Sequence, residues 1–162
     1  MIENIEEKVG QELRERGWRL AVAESCTGGL IGHRLTNISG SSTYYLGSIT
    51  AYAYRAKVRL LGVSWDTLEN HGAVSEETIR EMAIGIRHAL AADVGIAVSG
   101  IAGPTGGTPT KPVGYTWIGL STNKGIWTLQ HTAGGNRIEN KAEIAQLALE
   151  FLYDFLKKDG TD

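Results

Sequence analysis

Apolar residues at Ile2, Ile5, Val9 and Leu13 recur at helical spacing, with acidic residues early in the run and Gly17 after it. The pattern predicts an amphipathic surface helix that stops at the glycine. Trp18 to Ala23 then reads as a short strand, and Gly29 to Ile38, with Leu30, Ile31, Leu35 and Ile38 facing inward, as a second helix. Residues 48–54, "SITAYAY", alternate Ser48, Thr50, Tyr52 and Tyr54 against Ile49, Ala51 and Ala53, which predicts a strand with one polar face. A short helix is expected from about Arg55 to Leu61 and another opening at Ser64. Ser75, followed by Glu76 and Glu77, predicts an N-cap and acidic first turn for a longer helix to about Ala91, burying Ile79, Met82, Ala83, Ile86 and Leu90. Val94 to Ser99 is almost continuously apolar, the mark of a central strand covered on both faces. Val113 to Thr122 and Ile126 to Thr132 flank "NKG" as a hairpin. The chain closes on a long helix from about Asn136 to Lys158 with Ala145, Leu149, Leu152 and Leu156 on one stripe. This alternation predicts an α/β fold, a three-layer α/β/α single domain with a mixed sheet, spanning residues 1–162.

Composition narrows the partners. Acids and bases are interspersed and the net charge is −2, so no broad basic face is set out for nucleic acid or an anionic membrane. A lone cysteine, Cys26, excludes an intrachain disulfide and a four-cysteine zinc site. With no stretch of 18 apolar residues, the expectation is a cytoplasmic protein whose partners are small molecules or its own copies. An exposed small-residue strand face and the long last helix are the surfaces expected to support a homo-oligomer, taken as a dimer.

Candidate chemistry centres on "AESCTGG", residues 23–29, where a strand feeds a helix. A hydroxyl at Ser25 stands there beside backbone N–H groups at the positive end of a helix, a setting that favours an oxyanion or a phosphate. Against this, Ser25 serves equally as a helix cap, with the glycines permitting a tight turn. Cys26 competes as nucleophile, since a thiol at a helix N-terminus is acidified; adjacent side chains diverge, however, and Cys26 is expected to pack inward. A base is also needed. His33 and His88 lie within helices on expected solvated faces, His131 near the end of an edge-like strand, and His71 in a loop between helices. Lys57, five residues after Tyr52, has no carboxylate adjacent in sequence. If partly buried it takes a lowered pKa and serves as a general base; a surface lysine in "RAKVRLL" is the alternative.

The stretch "SGIAGPTGGTPTKP", residues 99–112, holds four glycines and three prolines. It lacks the spacing of a Walker A or dinucleotide motif. Following a central strand, where open α/β sheets hold ligands, it is expected to wall the site.

Taken in order, "AESCTGGLIGHRLTNISGSS", "AYAYRAK", "LLGV", "HGAVSEET", "SGIAGPTGGTPTKPVGYTWIGL" and "GGNR" resemble the CinA C-terminal domain family across nearly the whole chain. The resemblance implies a nucleophilic serine at Ser25, in preference to Cys26, with a tyrosine and lysine at Tyr52 and Lys57. It implies hydrolysis of the carboxamide of nicotinamide mononucleotide to nicotinate mononucleotide and ammonia, with no metal and no cofactor. On that basis Lys57 is expected as base and Tyr52 as relay or orienter. Backbone groups near Thr27 and Gly28, with Ser99 and the Gly100–Gly103 loop, are expected to receive the oxyanion. Gly40, Ser41 and Ser42, together with Arg137, are expected to bind the phosphate. The chain departs from the family pattern at Tyr54, where asparagine is usual, at Asn136 in place of aspartate, and at Lys141 in place of arginine. Those departures motivate a rival reading, a catalytically silent nucleotide-binding or interaction module.

Overall fold

The computed structural model describes residues 4–159. Its helices are α1 (Ile5–Arg16), α2 (Leu30–Thr36), α3 (Tyr54–Leu61), α4 (Trp65–His71), α5 (Glu76–Ala89) and α6 (Arg137–Asp159). The strands are β1 (Leu20–Glu24), β2 (Tyr45–Thr50), β3 (Val94–Gly100), β4 (Tyr115–Thr122) and β5 (Gly125–Thr132). Ile2, expected on the first helix, lies outside the described residues. The sheet order is β2-β1-β3-β4-β5, with β2, β1 and β3 parallel and β4 and β5 antiparallel to their neighbours. No helix among the described residues is long and apolar enough to cross a membrane.

Side-chain size sorts the two faces of the sheet. Leu20, Val22, Val94, Ile96 and Val98 point into a core shared with Val9 and Leu13 of α1, Ile31 and Leu35 of α2, and the α6 stripe of Ala145, Leu149, Leu152 and Leu156. Successive strand residues face opposite sides, so Ala21, Ala23 and Ala97 pack on the other face against Ile79, Met82, Ala83 and Ile86 of α5 and Leu61 and Leu68 of α3 and α4. The small residues let α5 sit close: a Cβ added to Gly95 would stand 2.7 Å from the Ala83 carbonyl oxygen. The three layers and mixed sheet are those expected.

Several boundaries differ from expectation, and one difference shapes the site. The strand expected over residues 48–54 is β2, which ends at Thr50. Ala51 makes one more sheet-like bond, from its amide to the Glu24 carbonyl at 2.9 Å. The carbonyls of Ala51 and Tyr52 then turn to the Lys57 ammonium nitrogen, at 2.8 and 3.0 Å. A buried donor therefore ends the strand, and Tyr54 opens α3 in place of extending a polar strand face. His71 is also relocated: it closes α4, exposed, with Nδ1 3.6 Å from a Glu77 carboxylate oxygen. β1 and α2 start and stop within two residues of expectation.

Candidate active site

Between β1 and β3 the chain connections diverge, because β1 leads back through α2 to the edge strand β2 while β3 leads forward to the hairpin. Open α/β sheets hold ligands at such switch points, at the carboxyl ends of the strands. Ser25 follows β1 directly, and its amide donates to the Val98 carbonyl of β3 at 3.1 Å. A cavity of about 170 Å³ opens there, lined among others by Ser25, Cys26, Tyr52, Lys57, Ser99 and Arg137.

At its floor, Lys57 Nζ lies 2.8 Å from Ser25 Oγ. Lys57 is 1% exposed and has no salt-bridge partner among the described residues. Its helix brings it there from the first turn of α3, whose remaining cations Arg55 and Arg59 are turned to solvent. Burial lowers its pKa from 10.5 to about 8, the Cys26 sulfur pulling weakly the other way. Two backbone carbonyls and one hydroxyl satisfy the nitrogen without a carboxylate, which is why the lysine is buried and yet not locked in its charged form.

The turn carrying Ser25 is organised by a residue that sequence reasoning did not single out. Glu24, fully buried, accepts from Thr27 Oγ1 at 2.6 Å and from the amides of Ile31 and Gly32 at 2.9 and 3.0 Å. Its carboxylate occupies the first turn of α2, where an anion is stabilised by orphan N–H groups and the helix dipole. This corrects two expectations. The α2 N-terminus is not open to a ligand, and Ser25 is not its cap: Gly29 takes the N-cap position, with no side-chain cap bond. The glutamate before the serine was the available signal, since an acid seven and eight residues ahead of helical amides is placed to fold back on them.

The remaining expected residues divide. Thr27 contributes through Glu24, and the Gly28 amide is already bonded to the Ser25 carbonyl at 3.1 Å. The amides of Cys26 and Thr27 have no backbone or side-chain oxygen acceptor among the described residues. Ser99 lines the cavity and donates to the Ala73 carbonyl at 2.8 Å. Gly100 keeps the wall thin, because a Cβ there would meet Thr116 Oγ1 at 2.5 Å and Cys26 Sγ at 3.2 Å. Tyr52 is 62% exposed; its carbonyl anchors Lys57, while its phenol accepts from Arg137 Nη2 at 3.3 Å. The other arm of Arg137 donates to the Gly103 carbonyl at 2.7 Å, so this arginine clasps the loop after β3 to the loop after β2. Asn140, fully buried and not anticipated, ties α6 to that loop by bonds from Nδ2 to Ala102 O and from the Gly135 amide to Oδ1, at 3.0 and 2.8 Å.

Gly40, Ser41 and Ser42 do not join this site. They precede β2, and because β2 runs parallel to β1 with Tyr45 opposite Leu20 and Thr50 opposite Glu24, they lie at the other end of the sheet from Ser25. Cys26 packs inward as expected, 6% exposed, and burial pushes its thiol pKa up to about 11. His33 and His88 are exposed, and His131 on the edge strand β5 is paired with Glu143 at 2.9 Å. Among the described residues, no group of three or more His, Cys, Asp or Glu side chains is placed to hold a metal ion.

A family described as the CinA C-terminal domain matches residues 2–156. A CinA-like protein of Salinibacter ruber is 51% identical over 146 residues, covering 90% of this chain and 35% of its own. A nicotinamide-nucleotide amidohydrolase PncC of Enterobacter agglomerans is 44% identical over 152 residues, with 93% of each chain covered. The chain thus spans little more than a third of several CinA-like relatives but nearly all of this one. Among solved structures, a CinA superfamily protein from Klebsiella pneumoniae superposes with a TM-score of 0.91 at 34% identity, covering 96% of this chain and 99% of its own. A competence/damage-inducible protein from Agrobacterium tumefaciens gives 0.90 at 36% identity, with 96% of each chain covered.

Proposed function

The chain belongs to the CinA C-terminal domain family, and from that premise we propose that it is a serine amidohydrolase acting on the carboxamide of nicotinamide mononucleotide. The observation that carries the reading is the 2.8 Å contact between Lys57 Nζ and Ser25 Oγ, made by a buried lysine with no acid beside it. The similarity to a nicotinamide-nucleotide amidohydrolase over both chains supplies the substrate class.

The chemistry follows from counting protons on one nitrogen. A charged ammonium has three N–H donors and no lone pair; around Lys57 they meet Ala51 O, Tyr52 O and Ser25 Oγ. After losing one proton the amine keeps two donors for the carbonyls and turns its lone pair to the serine hydroxyl. Ser25 Oγ then attacks the amide carbon as its proton passes to Nζ, forming the C–O bond of a tetrahedral intermediate. Lys57 returns that proton to the amide nitrogen, the C–N bond breaks, and ammonia leaves an acyl-serine. Water, deprotonated by the same amine, attacks the ester, and the carboxylate product and Ser25 hydroxyl are released. The amides of Cys26 and Thr27 are the donors nearest in sequence to the oxyanion. Tyr52 holds the base through its carbonyl and borders the entrance with Arg137.

Ammonia release from nicotinamide mononucleotide by the wild type, Ser25→Ala and Lys57→Ala tests the reading. Turnover by the wild type with loss of roughly a thousandfold or more in each variant is expected; equal rates in all three reject it.

A further inference from the structure

Ala73 and Val74 line the cavity together with Ser25 and Lys57. They come from the connection between α4 and α5, and both are only half-buried. Side-chain donors to three consecutive backbone carbonyls hold this segment. His71 O accepts from Lys111 Nζ at 2.7 Å. Gly72 O accepts from Ser75 Oγ and Thr78 Oγ1 at 3.0 and 2.6 Å, which ties it to the start of α5. Ala73 O accepts from Ser99 Oγ at 2.8 Å. Each bond fixes the tilt of one peptide plane, and together they set where Ala73 and Val74 stand.

Lys111 makes the most distant of these contacts, from the far end of the glycine- and proline-rich loop after β3. The loop closes on itself there: the Thr108 amide donates to Lys111 O at 2.7 Å, and the Lys111 amide to Thr108 Oγ1 at 3.0 Å. The backbone carrying the lysine is thus fixed before its side chain reaches out. Lys111 has no acid partner among the described residues. Its ammonium instead meets the last carbonyl of α4, the negative end of that helix. The chain then turns at Gly72, φ +81°, where an added Cβ would lie 3.5 Å from the same nitrogen. Ser99 precedes the loop and Lys111 lies at its end, so the loop grips the Ala73–Val74 segment from both ends. Between them Gly100 and Ala102 line the cavity directly.

We propose that Lys111 is a positioning residue: through the His71 carbonyl it holds Ala73 and Val74 as the apolar wall against which the ring of an aromatic amide packs beside Ser25. The wall's use in binding rests on the amidohydrolase reading; the tether itself is read without turnover. Amide hydrogen exchange of the full chain, followed residue by residue by NMR, reads it. The amides of Gly72 and Thr78, bonded to Leu68 O at 2.9 Å and to Ser75 Oγ at 3.2 Å, report opening of the segment. In Lys111→Met they should exchange roughly tenfold faster while the amides of β3 keep their wild-type rates, and Lys111→Arg should restore them. Unchanged exchange in Lys111→Met overturns the proposal. Kinetics with nicotinamide mononucleotide reads the consequence. Lys111→Met should raise KM roughly fivefold or more, with kcat within about threefold and the rising limb of the pH profile in place, and Lys111→Arg should recover KM. Val74→Ala should raise KM as well, and adding Lys111→Met to it should then have a smaller effect than in the wild type, because the side chain being positioned has been shortened. Faster exchange with an unchanged KM, or fully additive effects of the two substitutions, would make Lys111 a structural tether only and overturn its role in binding. Faster exchange in Lys111→Met of a protein whose wild type releases no ammonia from the mononucleotide upholds the tether and defeats the amidohydrolase reading instead.

Discussion

Glu24 and Ser25 are neighbours with opposite tasks: the carboxylate turns inward to the Thr27 hydroxyl and two amides of the α2 first turn, and the hydroxyl turns out to Lys57 Nζ at 2.8 Å. Adjacent side chains diverge, so fixing one aims the other. The serine is held by a buried anion that never needs to touch the substrate.

Glu24→Gln tests that division. Whichever way its amide lies, its nitrogen faces the Ile31 or the Gly32 backbone amide donor to donor, leaving a buried N–H unsatisfied. Stability should fall by about 2 kcal/mol or more, read from the urea midpoint. In the folded fraction kcat should drop roughly tenfold or more through misplacement of Ser25, with KM little changed. An unaltered kcat in a destabilised protein would show the carboxylate to be structural only.

Cys26 is expected to be inert. Its pKa of about 11 leaves almost no thiolate near neutral pH, and the side chain is 6% exposed. Native protein treated with iodoacetamide should keep its activity and its mass, while protein unfolded in urea takes up one adduct. Cys26→Ala should retain kcat within about threefold. Rapid inactivation of native protein by the reagent would return the thiol to the mechanism.

Gly95→Ala probes the close seat of α5 on the sheet. The added Cβ would stand 2.7 Å from the Ala83 carbonyl oxygen and 2.9 Å from Arg87 Cβ, both on a packed helix. A loss of about 1–3 kcal/mol is expected from thermal or urea unfolding. A neutral result would mean that α5 shifts freely, contrary to the packing described.

The periodicity of the sequence made the layers legible, because α5, α6 and β3 each carry an unbroken apolar pattern over a full element. Ser25 and Lys57 stood out as candidates, one from its strand–turn–helix setting and the other from the absence of a nearby acid, but a helix cap and a surface lysine fitted the local sequence equally, and it was the family resemblance that selected them. What escaped was set by contacts between distant segments. The alternation through Tyr52 and Tyr54 looked like a strand, but the Lys57 nitrogen captures the Ala51 and Tyr52 carbonyls and ends it at Thr50. Gly40–Ser42 had suitable chemistry for phosphate; only the parallel register of β2 on β1 shows that they face the wrong end of the sheet. Asn140 carries no local signal, since its value lies in bridging α6 to Ala102 and Gly135.

The most direct test is the pH dependence of kcat/KM for nicotinamide mononucleotide. The folded pKa of Lys57 is depressed from 10.5 to about 8 by burial, and only the uncharged amine can take the serine proton. From about pH 6 upward the logarithm of kcat/KM should rise with a slope near one and level off above about 8. Residual activity in Lys57→Ala should lack that limb. A wild-type profile already flat from about pH 6 to about pH 9, or one whose limb survives in Lys57→Ala, would contradict lysine as the base that activates Ser25.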